Sequence, residues 1–376
     1  MSTRVQRATV RGADIEVELN DGQPGRTVPL LWLRDHCPSP QTHHPETRQR
    51  LIDTFRIPME LTARAVEVES EGCVLRIDWA QEDHVSRFPA KFFADLRPDP
   101  EVLPLHRRTW DADSIARQLP QVPYTQVMCD DKMLRDFLEY AACYGLCFVE
   151  GVPASPEATR ALALRVAYIR ETIFGGYWDV TANLEHKDTA YTSAAIAPHT
   201  DGTYSLDAPG YQMFHCLAAQ CTGGENVLID GFRIAELMRL NYPEEYRLLT
   251  EVAIPGQYVD EGRGIHLIAR RPPFRLNQER ELVQVSYNNH DRAAFLLTAD
   301  RLRALYHALN AFADLCADPS LRYVRRLLPG SAVLFDNWRV LHARAAYTGF
   351  RRLAGVYLNK EDVESRLRVL RERFPS

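Results

Sequence analysis

No run of apolar residues in this chain approaches the length that crosses a bilayer, about 20 consecutive residues. The opening residues, MSTRVQRATV, lack the apolar core of a secretory leader, so a cytoplasmic protein without membrane attachment is expected. Among eight cysteines (Cys37, Cys73, Cys129, Cys143, Cys147, Cys216, Cys221 and Cys316) there is no Cys-x-x-Cys pair. Free thiols in a reducing compartment therefore fit better than a disulfide framework. A basic surplus is missing too. The net charge of −5 argues against a broad nucleic-acid surface. There is no internal repeat and no low-complexity segment.

What remains is the composition of an ordinary soluble protein. The 376 residues are 45% hydrophobic and 25% charged, enough for two or three domains with real cores. Residues 1–100 read as a small β-rich domain. Short alternating runs (Ile15–Leu19, Val66–Val68, Cys73–Trp79) are separated by the turns Asp21-Gly22 and Glu71-Gly72, and a short helix is expected over Phe88–Leu96. Prolines at 98, 100 and 104 mark a linker.

Residues 101–376 mix helices and strands. The apolar spacing in Lys132–Tyr144 predicts a helix ended by Gly145, followed by a strand over Leu146–Glu150. Ser155-Pro156 opens a second helix, and a third runs from about Ala299 to Cys316. The β-like runs Tyr211–Leu217, Val227–Asp230, Leu282–Tyr287, Ser331–Phe335 and Leu353–Leu358 do not alternate regularly with helices. The fold class expected is mainly β with flanking helices, a sandwich or jelly roll rather than a doubly wound sheet.

The first chemical signal is His199-Thr200-Asp201. In extended chain, residues two apart point the same way, so a His and an Asp so placed can hold two corners of one metal. His342, beyond the run ending at Phe335, is the best third ligand. Two imidazoles and a carboxylate on one face of iron(II) leave positions open for a 2-oxo acid and oxygen. A chance His-x-Asp is common in a chain with 12 histidines, so the motif needs company. Arg351 supplies it. Nine positions after His342, a following strand can turn its guanidinium inward to clamp a distal carboxylate.

The strings DTAYT, PHTDGTY, GGENVLIDGF, SYNNHDRA, FDNWRVLHAR and RRLAGVYL, with WLRDHC and TRQRLIDT in the N-terminal part, resemble the γ-butyrobetaine hydroxylase and trimethyllysine hydroxylase family. That family lies within the taurine-dioxygenase-like, 2-oxoglutarate-dependent oxygenases, and the resemblance covers nearly the whole chain. It implies a double-stranded β-helix catalytic domain. It also implies His199, Asp201 and His342 as iron ligands and Arg351 as the 2-oxoglutarate clamp. Fe(II), 2-oxoglutarate and O2 are the implied cofactor and cosubstrates, and hydroxylation of an unactivated C–H bond is the implied reaction.

The resemblance further implies an aromatic cage for a trimethylammonium group at Phe174, Trp178, Tyr191 and Tyr357. A quaternary ammonium has no N–H to donate, so it must be recognised by shape and by ring faces. Each such ring reads equally as core. Asp188 can add a charge near the cation, and Tyr204 can line the pocket. Asn288, Asn289 and Arg292 suit the anionic end of a zwitterion, although Arg292 reads equally as the surface residue of a turn. Phe174 departs from the pattern, since relatives often carry Tyr there.

Relatives also often hold a structural zinc in the N-terminal domain. The matching positions here are Cys37, Ser39, Thr42 and later His84, so two thiolates are absent. His36, His43 and His44 lie nearby. Cys37, His43 or His44, and His84 are the candidate zinc ligands, with folding through apolar contacts alone as the alternative. The resemblance implies a homodimer as well. For the substrate it leaves γ-butyrobetaine, trimethyllysine and a trimethylammonium phosphonate open. An oxygenase of another metabolite or natural-product pathway, or a non-catalytic module with a vestigial metal site, are the rival readings.

Overall fold

A computed structural model describes residues 2–96, 106–181 and 192–375. The chain divides into two units, Met1–Val102 and Leu103–Ser376.

The first unit holds two three-stranded antiparallel sheets. One is built from Val5–Arg11, Asp14–Leu19 and Arg26–Pro29, the other from Ala63–Glu69, Val74–Trp79 and Val85–Pro89. Alternation sends Ile15, Val17 and Leu19 from one sheet, and Leu75, Ile77 and Trp79 from the other, into a shared core. The expected helix over Phe88–Leu96 starts later. Phe88 belongs to the strand Val85–Pro89 and pairs with Leu75, and only Ala90–Asp95 is helical. Ser86 and Phe88, both fully buried, mark the strand's inward face, a period-2 signal that the aromatic cluster Phe88, Phe92 and Phe93 obscured.

The second unit is a double-stranded β-helix. One sheet runs in the order Trp178–Val180, Tyr347–Leu358, Tyr211–Gly223, Ser331–Asp336, Leu146–Glu150, Gln121–Pro123; the other runs Ile196–His199, Val340–Arg344, Asn226–Asp230, Tyr323–Arg325. Both sheets are largely buried on both faces, which is why most of their strands read as near-continuous apolar runs. Phe214, Cys216, Val333, Phe335, Leu353 and Tyr357 turn one way, and join Leu228 and Val340 of the second sheet between the layers. Met213, Leu334, Val356 and Leu358 turn the other way, under the helices Asp131–Tyr144, Pro156–Val166 and Lys360–Arg373. Val227, Ile229, Leu341 and Ala343 do the same for the second sheet, beneath Gly231–Asn241, Pro243–Glu251 and Ala299–Ala317.

Local signals set the helix ends. Ser155 caps Ala158 N ahead of Pro156, and Gly145 closes the preceding helix at φ 76°. The strands containing Tyr211 and Leu358 run longer than their apolar cores, to Tyr211–Gly223 and Tyr347–Leu358, because they pair with each other along their whole length. That pairing carries Arg351 and Tyr357 on one strand. A buried ion pair ties the second unit together: Arg339 bonds both oxygens of Asp230 (3.0 and 2.8 Å) and spends its other donors on the carbonyls of Cys143 and Arg108. With all three guanidinium nitrogens engaged, the buried charge is paired and hydrogen-bonded.

Candidate active site

Strand pairing brings the three chemical residues together. His199 ends its strand directly opposite His342 on the neighbouring strand, so the two imidazoles are cross-strand partners with ring centroids 4.1 Å apart. Thr200 turns away and is fastened to Tyr287, whose N–H it accepts at 3.0 Å while its own N–H donates to the Tyr287 carbonyl. Asp201 then points back. Its Oδ1 lies 3.4 Å from His199 Nε2 and its Oδ2 3.6 Å from His342 Nε2. One ligand atom from each residue lies within 4.8 Å of the others, and this is the only such group of three among the described residues.

The surroundings fix these groups. His199 Nδ1 lies 2.8 Å from the Ala197 carbonyl and donates to it, which turns Nε2 toward Asp201. His342 is oriented by packing between Phe214 and Phe335. The Asp201 backbone is clamped by Asn337, whose side chain accepts from Asp201 N (2.8 Å) and donates to Asp201 O (3.0 Å) and Pro209 O (2.9 Å). Gly202 follows at φ 74°, where an added Cβ would lie 2.6 Å from Pro209.

Burial, followed by the neighbouring His199, pushes the His342 pKa down to about 3, leaving a neutral ligand. Burial would do the same to His199, but its contact with the Asp201 carboxylate outweighs that and raises it. Burial opposes ionisation of Asp201, yet the two imidazoles and a hydrogen bond from Tyr357 hold its carboxyl well below the usual range. The two histidines move in opposite directions because one carboxylate between them can fix one proton. A divalent cation at the same point replaces that proton and satisfies all three donors. The donor set, hard and borderline with open positions, suits iron(II).

The triad opens into a cavity of about 300 Å³. Arg351 lines it too, 5% exposed, with Nη2 3.3 Å from Asn226 Oδ1 and the guanidinium 5.8 Å from the Tyr347 ring. No described carboxylate lies in ion-pair range of it. Burial lowers its pKa, the mark of a cation short of a counter-charge. A carboxylate ligand entering the cavity supplies that charge.

The comparisons with known proteins agree with this geometry. Residues 101–357 match the family model for taurine catabolism dioxygenase, TauD/TfdA family, and residues 7–94 match the γ-butyrobetaine hydroxylase-like N-terminal model. The chain belongs to the TauD/TfdA dioxygenase family. A trimethyllysine dioxygenase of Meyerozyma guilliermondii is 32% identical over 98% of this chain and 96% of its own length. The mitochondrial trimethyllysine dioxygenase of Gallus gallus is 34% identical over 91% of this chain and 82% of its own. A γ-butyrobetaine dioxygenase of Pseudomonas sp. is 32% identical over 92% and 91%. This TauD/TfdA member is a 2-oxoglutarate-dependent dioxygenase that uses Fe(II), 2-oxoglutarate and O2.

Other expected residues divide into three groups in this dioxygenase. Phe174, Trp178, Tyr204, Tyr357 and Asn288 line the cavity. Trp178 and Tyr357 have ring centroids 5.7 Å apart; Tyr204 and Phe174 flank Tyr258 at 5.4 and 6.3 Å. Asp188 and Tyr191 lie outside the described residues. Asn289 and Arg292 are not brought to the cavity. Asn289 is exposed, and Arg292 packs its guanidinium over Tyr306 at 5.2 Å and lines a second, smaller cavity with Asn288 and Thr203.

In the N-terminal unit Cys37 Sγ and His84 Nε2 meet at 3.3 Å. His43 turns its Nδ1 to the Cys37 carbonyl, and His44 accepts from the Glu46 and Thr47 N–H groups. Two of the candidate zinc ligands converge, therefore, and the others are used locally. Asn337, Gln212, Asn226, Tyr258 and Asp291 also belong to the site, outside the expected set. Gln212 had a signal: with His215 it is one of two polar residues in the otherwise apolar run Tyr211–Leu217, and it is 2% exposed. Tyr258 had none, since its hairpin, Ile254–Asp260 with Ile265–Arg271, was not anticipated.

Proposed function

We propose that this dioxygenase hydroxylates a small trimethylammonium zwitterion, with Nε-trimethyllysine the first candidate and γ-butyrobetaine the second. The observation that carries the reading is one cavity lined both by a carboxylate-hungry Arg351 and a metal triad, and by a cluster of aromatic faces. The relatives named above act on those two substrates by name. The strings DTAYT and YNNHDRA look nearer to the trimethyllysine type.

In this reading His199, Asp201 and His342 hold iron(II). Arg351, supported by Asn226, receives the far carboxylate of 2-oxoglutarate. Iron(II), when bound, activates O2, so that the substrate C–H becomes C–OH while 2-oxoglutarate becomes succinate and CO2. The protein's part is placement. Phe174, Trp178, Tyr204 and Tyr357 take the methylated nitrogen by shape and ring quadrupole, each good contact contributing about 0.5–2 kcal/mol. Asn288 is placed for the anionic end. Fixing both ends decides which carbon faces the metal. The buried walls keep water from the reacting centre.

Succinate formation across a panel of trimethyllysine, γ-butyrobetaine, 2-(trimethylamino)ethylphosphonate and taurine tests the reading. Turnover confined to methylated cations is expected; equal turnover of taurine overturns the cage assignment. A cytoplasmic homodimer completes the proposal. No described helix is long and apolar enough to cross a membrane, and all eight thiols are free. Light scattering should return twice the chain mass.

A further inference from the structure

The Asp201 carboxylate carries more than its share of constraint. A ligand of this kind has two oxygens, and if both swing onto the metal they take a position that the 2-oxo acid or oxygen needs. Asn337 fixes the Asp201 backbone on both sides, which leaves rotation of the carboxylate as the remaining freedom. Beside the two imidazoles, one hydrogen bond restrains it: Tyr357 Oη donates to Asp201 Oδ2 at 2.8 Å.

Tyr357 is itself steered. It lies directly opposite Gln212 in the pairing of Tyr211–Gly223 with Tyr347–Leu358, and Gln212 Nε2 donates to its hydroxyl oxygen at 3.4 Å. The chain runs in one sense, amide N–H to phenol oxygen, then phenol O–H to carboxylate. Gln212 and Tyr357 are 2% and 6% exposed, so water does not compete freely for either bond. The same Tyr357 ring stands beside Trp178 in the cavity wall.

We propose that Tyr357 is a positioning residue for the metal: its hydroxyl, set by Gln212, engages Asp201 Oδ2 and fixes the rotation of the carboxylate, so that Oδ1, the oxygen beside His199 Nε2, is the one left for the cation. One side chain then has two separable parts, a hydroxyl for the metal and a ring face for the substrate cation. The inference rests on the reading that the triad is the iron site.

Co(II) titration of the metal-free full-length protein, without 2-oxoglutarate or substrate, tests it. Tyr357→Phe keeps the ring and loses the donor. Its Co(II) Kd should rise about 10–100-fold, the usual cost of removing an outer partner of a ligand. Its substrate KM should move far less than in Tyr357→Leu, which loses the ring too. Gln212→Leu should weaken Co(II) in the same direction by a smaller factor. A Tyr357→Phe protein whose Co(II) Kd stays within about twofold of the parent overturns the proposal. If circular dichroism shows that Tyr357→Phe does not fold, Gln212→Leu decides, and parental affinity there overturns it. Asp201→Ala separates the two claims. Loss of Co(II) in Asp201→Ala beside retention in Tyr357→Phe sinks the positioning role alone, whereas parental binding in Asp201→Ala sinks the metal site itself.

Discussion

Arg351 and His215 show what burial does to a charge when a ligand is expected and when it is not. Arg351 faces the cavity with an amide, not a carboxylate, at hand. Removing it should weaken 2-oxoglutarate binding by about 2–5 kcal/mol, since its partner carboxylate would be left buried and unpaired. Calorimetric titration of Arg351→Ala checks this, and Arg351→Lys should recover only part because the two-pronged geometry is gone. His215 is fully buried, with Nδ1 2.7 Å from Thr159 Oγ1. The Thr159 hydroxyl donates to the Ser155 carbonyl, so the imidazole donates to it. Burial drives the His215 pKa from 6.5 down to about 4. The unfolded chain therefore binds a proton that the folded one refuses between those values, and His215's contribution to stability is present above pH 6.5 and is lost as pH falls toward 4. Thermal melts should show a flatter acid limb over that window in His215→Gln than in the parent.

At the level of strands, register does the work that residue identity cannot. Trp178 pairs with Gly355, and its indole packs directly against that glycine: an added Cβ would lie 1.9 Å from the ring. Gly355 is thus the floor of the aromatic wall, since no side chain can share that space. Gly355→Ala should tilt Trp178 away, costing about 1–3 kcal/mol of stability by overpacking. Loss of one cation–π face should raise the substrate KM by up to roughly 30-fold, with the KM for 2-oxoglutarate nearly unchanged. Steady-state kinetics with each substrate varied in turn checks the split. The helices illustrate the opposite case. Ser155, Pro156 and Gly145 announced their helix ends, because caps are local chemistry. The helix Gly231–Asn241 went unanticipated, since its cap, Asp230, read as the end of a strand.

For the whole molecule, the two units should respond differently to metal. The triad lies in Leu103–Ser376, and binding stabilises only the unit that binds. At a free Co(II) concentration of about 100 Kd the gain is roughly 2.7 kcal/mol, or about 5–10 °C in the melting temperature of a unit this size. Differential scanning calorimetry should show that shift in the larger unit's transition, none in the smaller one's, and none in Asp201→Ala. The N-terminal unit, with Cys37 and His84 paired but His43 and His44 engaged locally, should melt independently of added zinc if its apolar core suffices.

The sequence by itself determined the fold class, the triad and Arg351. Spacing along the chain marked the residues two apart and the arginine nine positions on from a histidine, while the β-helix and His342 as third ligand rested on the resemblance of whole strings. Only the tertiary structure decided that Asn337, Gln212, Asn226 and Tyr258 join the site while Asn289 and Arg292 leave it. Gln212 meets Tyr357 across strands, over a separation of 145 positions, where register rather than spacing fixes which side chains share a face. The arginine of a turn looks the same in sequence whether the backbone sends it toward the cavity or, as with Arg292, onto Tyr306.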